Sequence, residues 1–222
     1  PITISSDLGG ILAVAPRPDD PDDPDDPPMV FVACGYGIVL LTYDSGLDQW
    51  EESFPVSGSG MSTDVVIAPS DPNVVYASWK WPDDANVTRG VYNGTSWSWE
   101  TFTIRTQIAD GLQALAVHPA NAERLFGGDV GLGVLRCLNH GQSWTPVNQG
   151  LDGVVVFDLD VQDDDSSHMI ADSGSGLYER PSGSDTWQRR RPGKHMSVEF
   201  EPDSATTFYA GAHGRLIRTD NN

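Results

Sequence analysis

A four-strand pattern recurs five times along this chain, and that recurrence restricts the fold more than any other feature. Each unit opens with a short apolar strand, most ending near a proline: Ile11 to Pro16, Val65 to Pro69, Ala114 to Pro119, Phe157 to Val161 and Val198 to Pro202. A polar loop follows, then a second strand of small and β-branched residues: Met29 to Cys34, Val74 to Trp79, Arg124 to Gly128, His168 to Ser173 and Thr206 to Ala212. A glycine-containing turn leads to a third strand: Ile38 to Tyr43, Arg89 to Tyr92, Gly133 to Leu138, Gly176 to Glu179 and Arg215 to Thr219. In four units a polar turn and a tryptophan open a fourth strand, at Trp50, at Trp97 or Trp99, at Trp144 and at Trp187.

Four short strands in a unit of roughly 40 to 50 residues is the pattern of propeller blades, not of a sandwich. The expectation is an all-β, five-bladed β-propeller of four-stranded antiparallel blades, filling residues 1–222 as a single domain. The blades fall at about 11–55, 64–103, 113–148, 155–191, and 196–222 together with 1–6. The fifth unit stops at Thr219 to Asn222, where its fourth strand should begin, and Pro1 to Ser5 reads as a strand without a partner. Closing the ring with that N-terminal strand leaves no long sheet edge exposed.

The turns before the tryptophans carry a resemblance. Cys137-Leu138-Asn139-His140-Gly141-Gln142-Ser143-Trp144 resembles the Asp-box (BNR) motif, Ser-x-Asp-x-Gly-x-Thr-Trp. Thr42 to Gly46 followed by Trp50 resembles it with one inserted residue, while Thr186-Trp187 and Thr219-Asp220 keep fragments. Every copy is degenerate: Asn139 stands where Asp is usual and Ser184 where Gly is usual. The resemblance to Asp-box (BNR-repeat) propellers implies a structural motif: the Asp caps backbone N–H groups, and the tryptophan packs between blades. It also implies that the motif lies opposite the usual binding face. A sialidase activity would need an arginine triad and a Tyr/Glu pair, which the sequence does not place.

Thirty-two acids against thirteen bases give a formal charge of -19. That charge argues against nucleic acid and anionic lipid, which require a basic footprint. No apolar run reaches the length of a membrane span, so membrane insertion is not expected. Two cysteines, Cys34 and Cys137, are too few for a disulfide framework; they fall in the first and third blades and are expected as free thiols. The sequons at Asn86 and Asn93, the start at Pro1 rather than Met, and the acidity fit a processed, extracellular or cell-surface protein. No particular oligomeric state is signalled.

In a propeller the first strand of each blade lines the central channel. Its residues form two alternating rows. One row is apolar: Leu12 and Val14, Val65 and Ile67, Leu115 and Val117, Leu159 and Val161, Val198 and Phe200. The other collects Asp64, Asp158, Asp160, Glu199 and Glu201, with His118. A wet channel, a Ca²⁺ site on Asp64, Asp158, Asp160 and Glu199, or a catalytic carboxylate pair all fit such a row. No residue is assigned a catalytic role. The turns between second and third strands and the connectors between blades form one face, where Tyr36, Trp81, Asp129 and His213 are the candidate ligand-binding residues. Asp19 to Asp26, broken by a proline every third residue, reads as a stiff polyproline II loop. Arg189-Arg190-Arg191 is expected to pair with the acidic surface, with an anionic partner as the alternative. The function expected is a non-enzymatic binding or scaffolding propeller recognising a protein or glycan through one face. A glycan-active hydrolase with channel-mouth carboxylates, or a structural subunit of an extracellular assembly, are the alternatives.

Overall fold

Alternating side chains and short polar turns dictate a meander in each unit, because strands this short pair with their sequence neighbours. The computed structural model describes residues 8–18, 26–57, 60–80, 84–105, 111–163, 165, 167–202, 204, 206–212 and 214–220. Blade 1 contains β1 (Ile11–Pro16), β2 (Met29–Cys34), β3 (Gly37–Asp44) and β4 (Gln49–Ser57). Blade 2 contains β5 (Met61–Ala68), β6 (Asp71–Lys80), β7 (Ala85–Tyr92) and β8 (Trp97–Arg105). Blade 3 contains β9 (Leu112–Val117), β10 (Leu125–Asp129), β11 (Gly133–Cys137) and β12 (Trp144–Pro146). Blade 4 contains β13 (Val156–Val161), β14 (Met169–Ser173), β15 (Gly176–Arg180) and β16 (Gln188–Pro192). Blade 5 shows β17 (His195–Phe200), β18 (Thr207–Ala212) and β19 (Arg215–Asp220) among the described residues. Every sheet is antiparallel and pairs in chain order. The strand expected to complete blade 5, residues 1–6, lies outside the described residues, as does most of the acidic run at 19–25.

The inner strands stand side by side in the order β1, β5, β9, β13, β17. The core is therefore a series of seams between blades. Phe31, Ala33 and Ile38 of blade 1 meet Val65 and Val75 of blade 2. Tyr76 and Val87 meet Leu115 and Leu135 across the next seam. Ala114 and Phe126 meet Leu159 and Tyr178, and Ile170 and Leu177 meet Val198 and Phe200. Gly128 shows how close the blades come: a Cβ there would lie 2.6 Å from Val156.

The tryptophans close these seams from the outer strands. Trp97 lies edge-on to Phe31 of the preceding blade at 4.9 Å and stacks on Trp99. Trp187 is buried in the seam with blade 3, its Nε1 donating to the Val147 carbonyl at 2.7 Å. The turns between third and fourth strands are closed by short polar side chains. Asp44 accepts from the Gly46 and Leu47 amides (2.8 and 3.1 Å), Asn93 from Thr95 and Ser96 (3.0 and 2.9 Å), and Asn139 from Ser143 (3.0 Å). Cys34 and Cys137 are both buried and free.

One feature of the inner strands was not read from the sequence. Each carries a β-bulge at the same place, with Leu12, Thr63, Gln113, Phe157 and Met196 as the extra residues. The bulge position corrects the alignment of blade 1 by two residues. Val14 pairs with Val32 as Val65 does with Ala77 and Leu159 with Ala171, so the apolar row of β1 runs through Val14 and Pro16, and Leu12 is the bulge residue. Val65, Leu115, Leu159 and Val198 are 3 to 5% exposed against the preceding blade, whereas Val14 is 54% exposed. Among the described residues no helix is long and apolar enough to cross a membrane.

Candidate functional site

An inner strand pairs with its blade along one edge only, which leaves alternate N–H groups of the other edge needing acceptors. The acids of the second row supply them. Asp64 accepts from its neighbour Val65 at 2.8 Å and, across the seam, from Leu115 of blade 3 at 2.7 Å. Asp158 accepts from Leu159 and from Val198 of blade 5, both at 2.9 Å. Asp160 accepts from Val161 at 2.7 Å and from Phe200 of blade 5 at 2.8 Å. Each carboxylate thus ties one blade to the next. Glu199 occupies the position of Asp160 one blade later and is exposed.

Burial raises Asp64, Asp158 and Asp160 each to about 6, although the amides they accept from pull the other way. Among the described residues no group of three or more His, Cys, Asp or Glu is placed to hold a metal ion. Ca²⁺ or EDTA is accordingly expected to move the melting temperature by less than about 1 °C at fixed ionic strength. A Ca²⁺-dependent rise of several degrees in a thermal melt would return a cation-binding role to these acids.

Where the inner strands of blades 4 and 5 end, a cleft of about 190 Å³ is lined by Asp160, Gln162, Asp163, Glu199, Phe200 and Glu201. Beneath it runs a buried chain of polar groups that no sequence spacing announced. Gln162 Oε1 lies 2.8 Å from His168 Nδ1, and His168 Nε2 lies 2.8 Å from Glu179 Oε1. Arg190 Nε donates to Glu179 Oε2 at 2.5 Å. Of the three arginines expected to meet the acidic surface, Arg190 therefore reaches a buried carboxylate, and Arg189 lies 3.9 Å from the exposed Asp152.

The opposite end is the turn face, where inner strands begin and second strands turn into third. Tyr36 is 55% exposed there, with its ring over Gly9. Asp129 is fully buried: its carboxylate accepts from the Gly131 and Leu132 amides (2.6 and 2.8 Å) and from Arg105 Nη2 (3.1 Å), so it closes its own turn. Trp81 and His213 lie outside the described residues. Sequence reasoning passed over the apolar side chains of this face. Ile11, Leu12, Met61, Val154, Phe157, Met196 and Leu216 are all exposed at its rim, whereas Leu47 and Leu138 are exposed at the far end. Bulged strands re-aim side chains, and three of these residues are bulge residues.

No family model and no curated protein matches the sequence. Solved structures do match. An ancestral GH74 enzyme superposes with a TM-score of 0.69 at 17% identity, over 94% of this chain and 30% of that one. YCF48 from Cyanidioschyzon merolae superposes with a TM-score of 0.65 at 17% identity, over 99% of this chain and 70% of that one. This chain thus spans less than a third of the length of the enzyme. Both are β-propeller proteins, and likeness at this identity speaks to architecture alone. Geometry and likeness together establish the fold: an all-β, five-bladed β-propeller.

Proposed function

We propose that this propeller is a non-enzymatic binding or scaffolding protein of the Asp-box type, acting outside the cell or at its surface, which recognises a partner protein through its turn face. The observation that carries this reading is the gathering of exposed apolar side chains at one end of the blades, from Leu12 and Tyr36 through Met61 to Phe157 and Met196. Isolated exposed apolar residues are ordinary, but a set on one face marks an interaction surface. The Asp-box assignment is supported by the capped turns at Asp44, Asn93 and Asn139 and by tryptophans seated in the seams.

A protein partner accounts for Met61 and Met196 better than a glycan does, because thioethers offer no planar surface for a sugar ring. A hydrolase has less support. Asp64, Asp158 and Asp160 each already bind two backbone amides, which leaves them poorly placed to take up and release a proton at a substrate.

The test is site-specific photocrosslinking in extracts of the source organism, with the crosslinker at position 36 or 154 on the turn face and at 47 or 138 on the other. Crosslinks to a second polypeptide are expected from positions 36 and 154 only. Crosslinks from the far face alone, or none from the turn face, would overturn the reading.

A further inference from the structure

The few basic side chains of this acidic chain are unevenly placed. Arg191 lies near the end of β16, Lys194 in the connector to blade 5, and Arg215 at the start of β19; all three are exposed. None of them makes an ion pair among the described residues. They share one seam. Arg215 pairs with Ala212, whose other partner is His195, and burial followed by the nearby charge of Arg191 holds His195 below its ordinary value.

Apolar side chains stand beside these cations. Met196 is 73% exposed and Phe157 40%. Phe157 and Met196 are the bulge residues of neighbouring inner strands. Leu216, paired with Gly211, points to the other face of blade 5, away from the row of Val198, Ala210 and Ile217 that packs on blade 4. Salt confines the charge that a partner feels to roughly 8 Å at physiological ionic strength. Local charge therefore counts for more here than the -19 of the whole chain: Arg191, Lys194 and Arg215 are exposed, whereas of the acids in this seam Asp172 is buried and Asp158 is taken up by backbone amides.

We propose that the part of the turn face formed by blades 4 and 5 docks an acidic, apolar-bearing segment of a partner protein, with Met196 and Phe157 receiving its apolar side chains and Arg191, Lys194 and Arg215 its carboxylates. The proposal rests on the protein-binding reading above and narrows it to one sector and one partner chemistry. Aromatic and apolar anchors ringed by charge form the usual core of such interfaces. Three cations on a chain this acidic are too few to bind nucleic acid. Met196, the most exposed of the apolar side chains there, offers nothing to stack on a sugar ring, so an anionic polysaccharide is the lesser fit.

The probe is a short labelled peptide alternating Leu and Glu, titrated with the full chain and followed by fluorescence anisotropy. Saturable binding is expected, and Met196→Ser with Phe157→Ser should weaken it about tenfold, as should Arg191→Glu with Lys194→Glu. These residues are exposed, so each variant is expected to melt within about 2 °C of the parent, which excludes unfolding as the cause. The inference is overturned if the peptide does not bind or if neither variant pair weakens it. It also fails if a Leu-free control, with Ser in place of every Leu, or a polyglucuronate chain binds equally well, since the site then recognises anions alone. Equal binding of a peptide with Lys for Glu sinks it too. Crosslinks at 36 and 154 that persist in Arg191→Glu/Lys194→Glu would leave the protein-binding reading standing while this sector is lost.

Discussion

Replacing Glu179 with Gln is expected to lower the melting temperature by about 10 °C. Glu179 is fully buried, and its two oxygens face His168 at 2.8 Å and Arg190 at 2.5 Å. His168 in turn meets Gln162 and lies edge-on to Phe200 of blade 5 at 4.8 Å, so the network braces the seam as well as the blade. Gln keeps the volume but removes the negative charge that balances two donors. Removing one member of a buried charged network costs about 3 to 5 kcal/mol, because the remaining groups stay desolvated without compensation. In a chain of this size each kcal/mol moves the midpoint by about 2 to 4 °C. Replacing the whole set, with His168→Leu, Glu179→Met and Arg190→Leu, is expected to recover most of the loss, since an apolar set carries no desolvation cost. Thermal and urea melts of the single and triple variants check both statements. A Glu179→Gln variant melting within about 2 °C of the parent would show that the network adds little.

The blades were legible because turn chemistry and tryptophans punctuate the chain at nearly regular intervals, and short strands pair with their neighbours. Register was less legible. A shift of two residues preserves the alternation, so Leu12 and Val14 look as well matched to Val65 and Ile67 as Val14 and Pro16 do. The acidic row was visible as alternation around Leu159 and Val161, because side chains of a strand alternate between faces. What those acids touch was not visible. The amides that Asp158 and Asp160 bind belong to a strand forty residues further on, at Val198 and Phe200. Asp129 misled for a similar reason: Asp-Val-Gly reads as an exposed turn, but the carboxylate folds back onto the amides of that turn. The Glu179 network joins side chains from different strands, and no local spacing reports a contact made only after β14, β15 and β16 align. Exposed bulge residues escaped notice because an apolar residue in a strand is read first as core.

Stability is expected to rise as the pH is lowered from about 8 toward about 5, and Asp172→Asn is expected to remove much of that slope. Asp172 is fully buried on β14 opposite Asp158; the backbone amide of His195 faces it and pulls its pKa down, but without good hydrogen-bond geometry to either oxygen. The nearest cation-forming group, His195 Nδ1, is 3.5 Å away and is without a hydrogen-bond partner among the described residues. Burial raises Asp172 to about 7, far above its unfolded value, and the negative charge of Asp158 adds to the rise. An acid raised in this way favours the folded state when protonated. Its contribution is complete below the unfolded pKa of about 3.9 and is lost as the pH climbs through the folded value. Asp64, Asp158 and Asp160 act in the same direction through about 6. Two effects oppose the gain at lower pH. His195, held below its ordinary value by burial, must take up a proton, and Asp165, lowered by its hydrogen bonds to Ser182 and Ser167, begins to lose its charge. The maximum should therefore lie near pH 5 to 6, on the acid side of neutrality. Asn at 172 has nearly the shape of the protonated acid, cannot ionise, and offers an N–H toward His195. At about pH 8 it should stabilise the protein by at most about 4 kcal/mol, given about 1.4 kcal/mol for each unit of pKa displacement, and by less where solvent screens the site. Melts of parent and variant across this range decide the matter. A variant less stable than the parent at about pH 8 would mean that Asp172 is ionised and held by a protonated His195, reversing the sign of the argument.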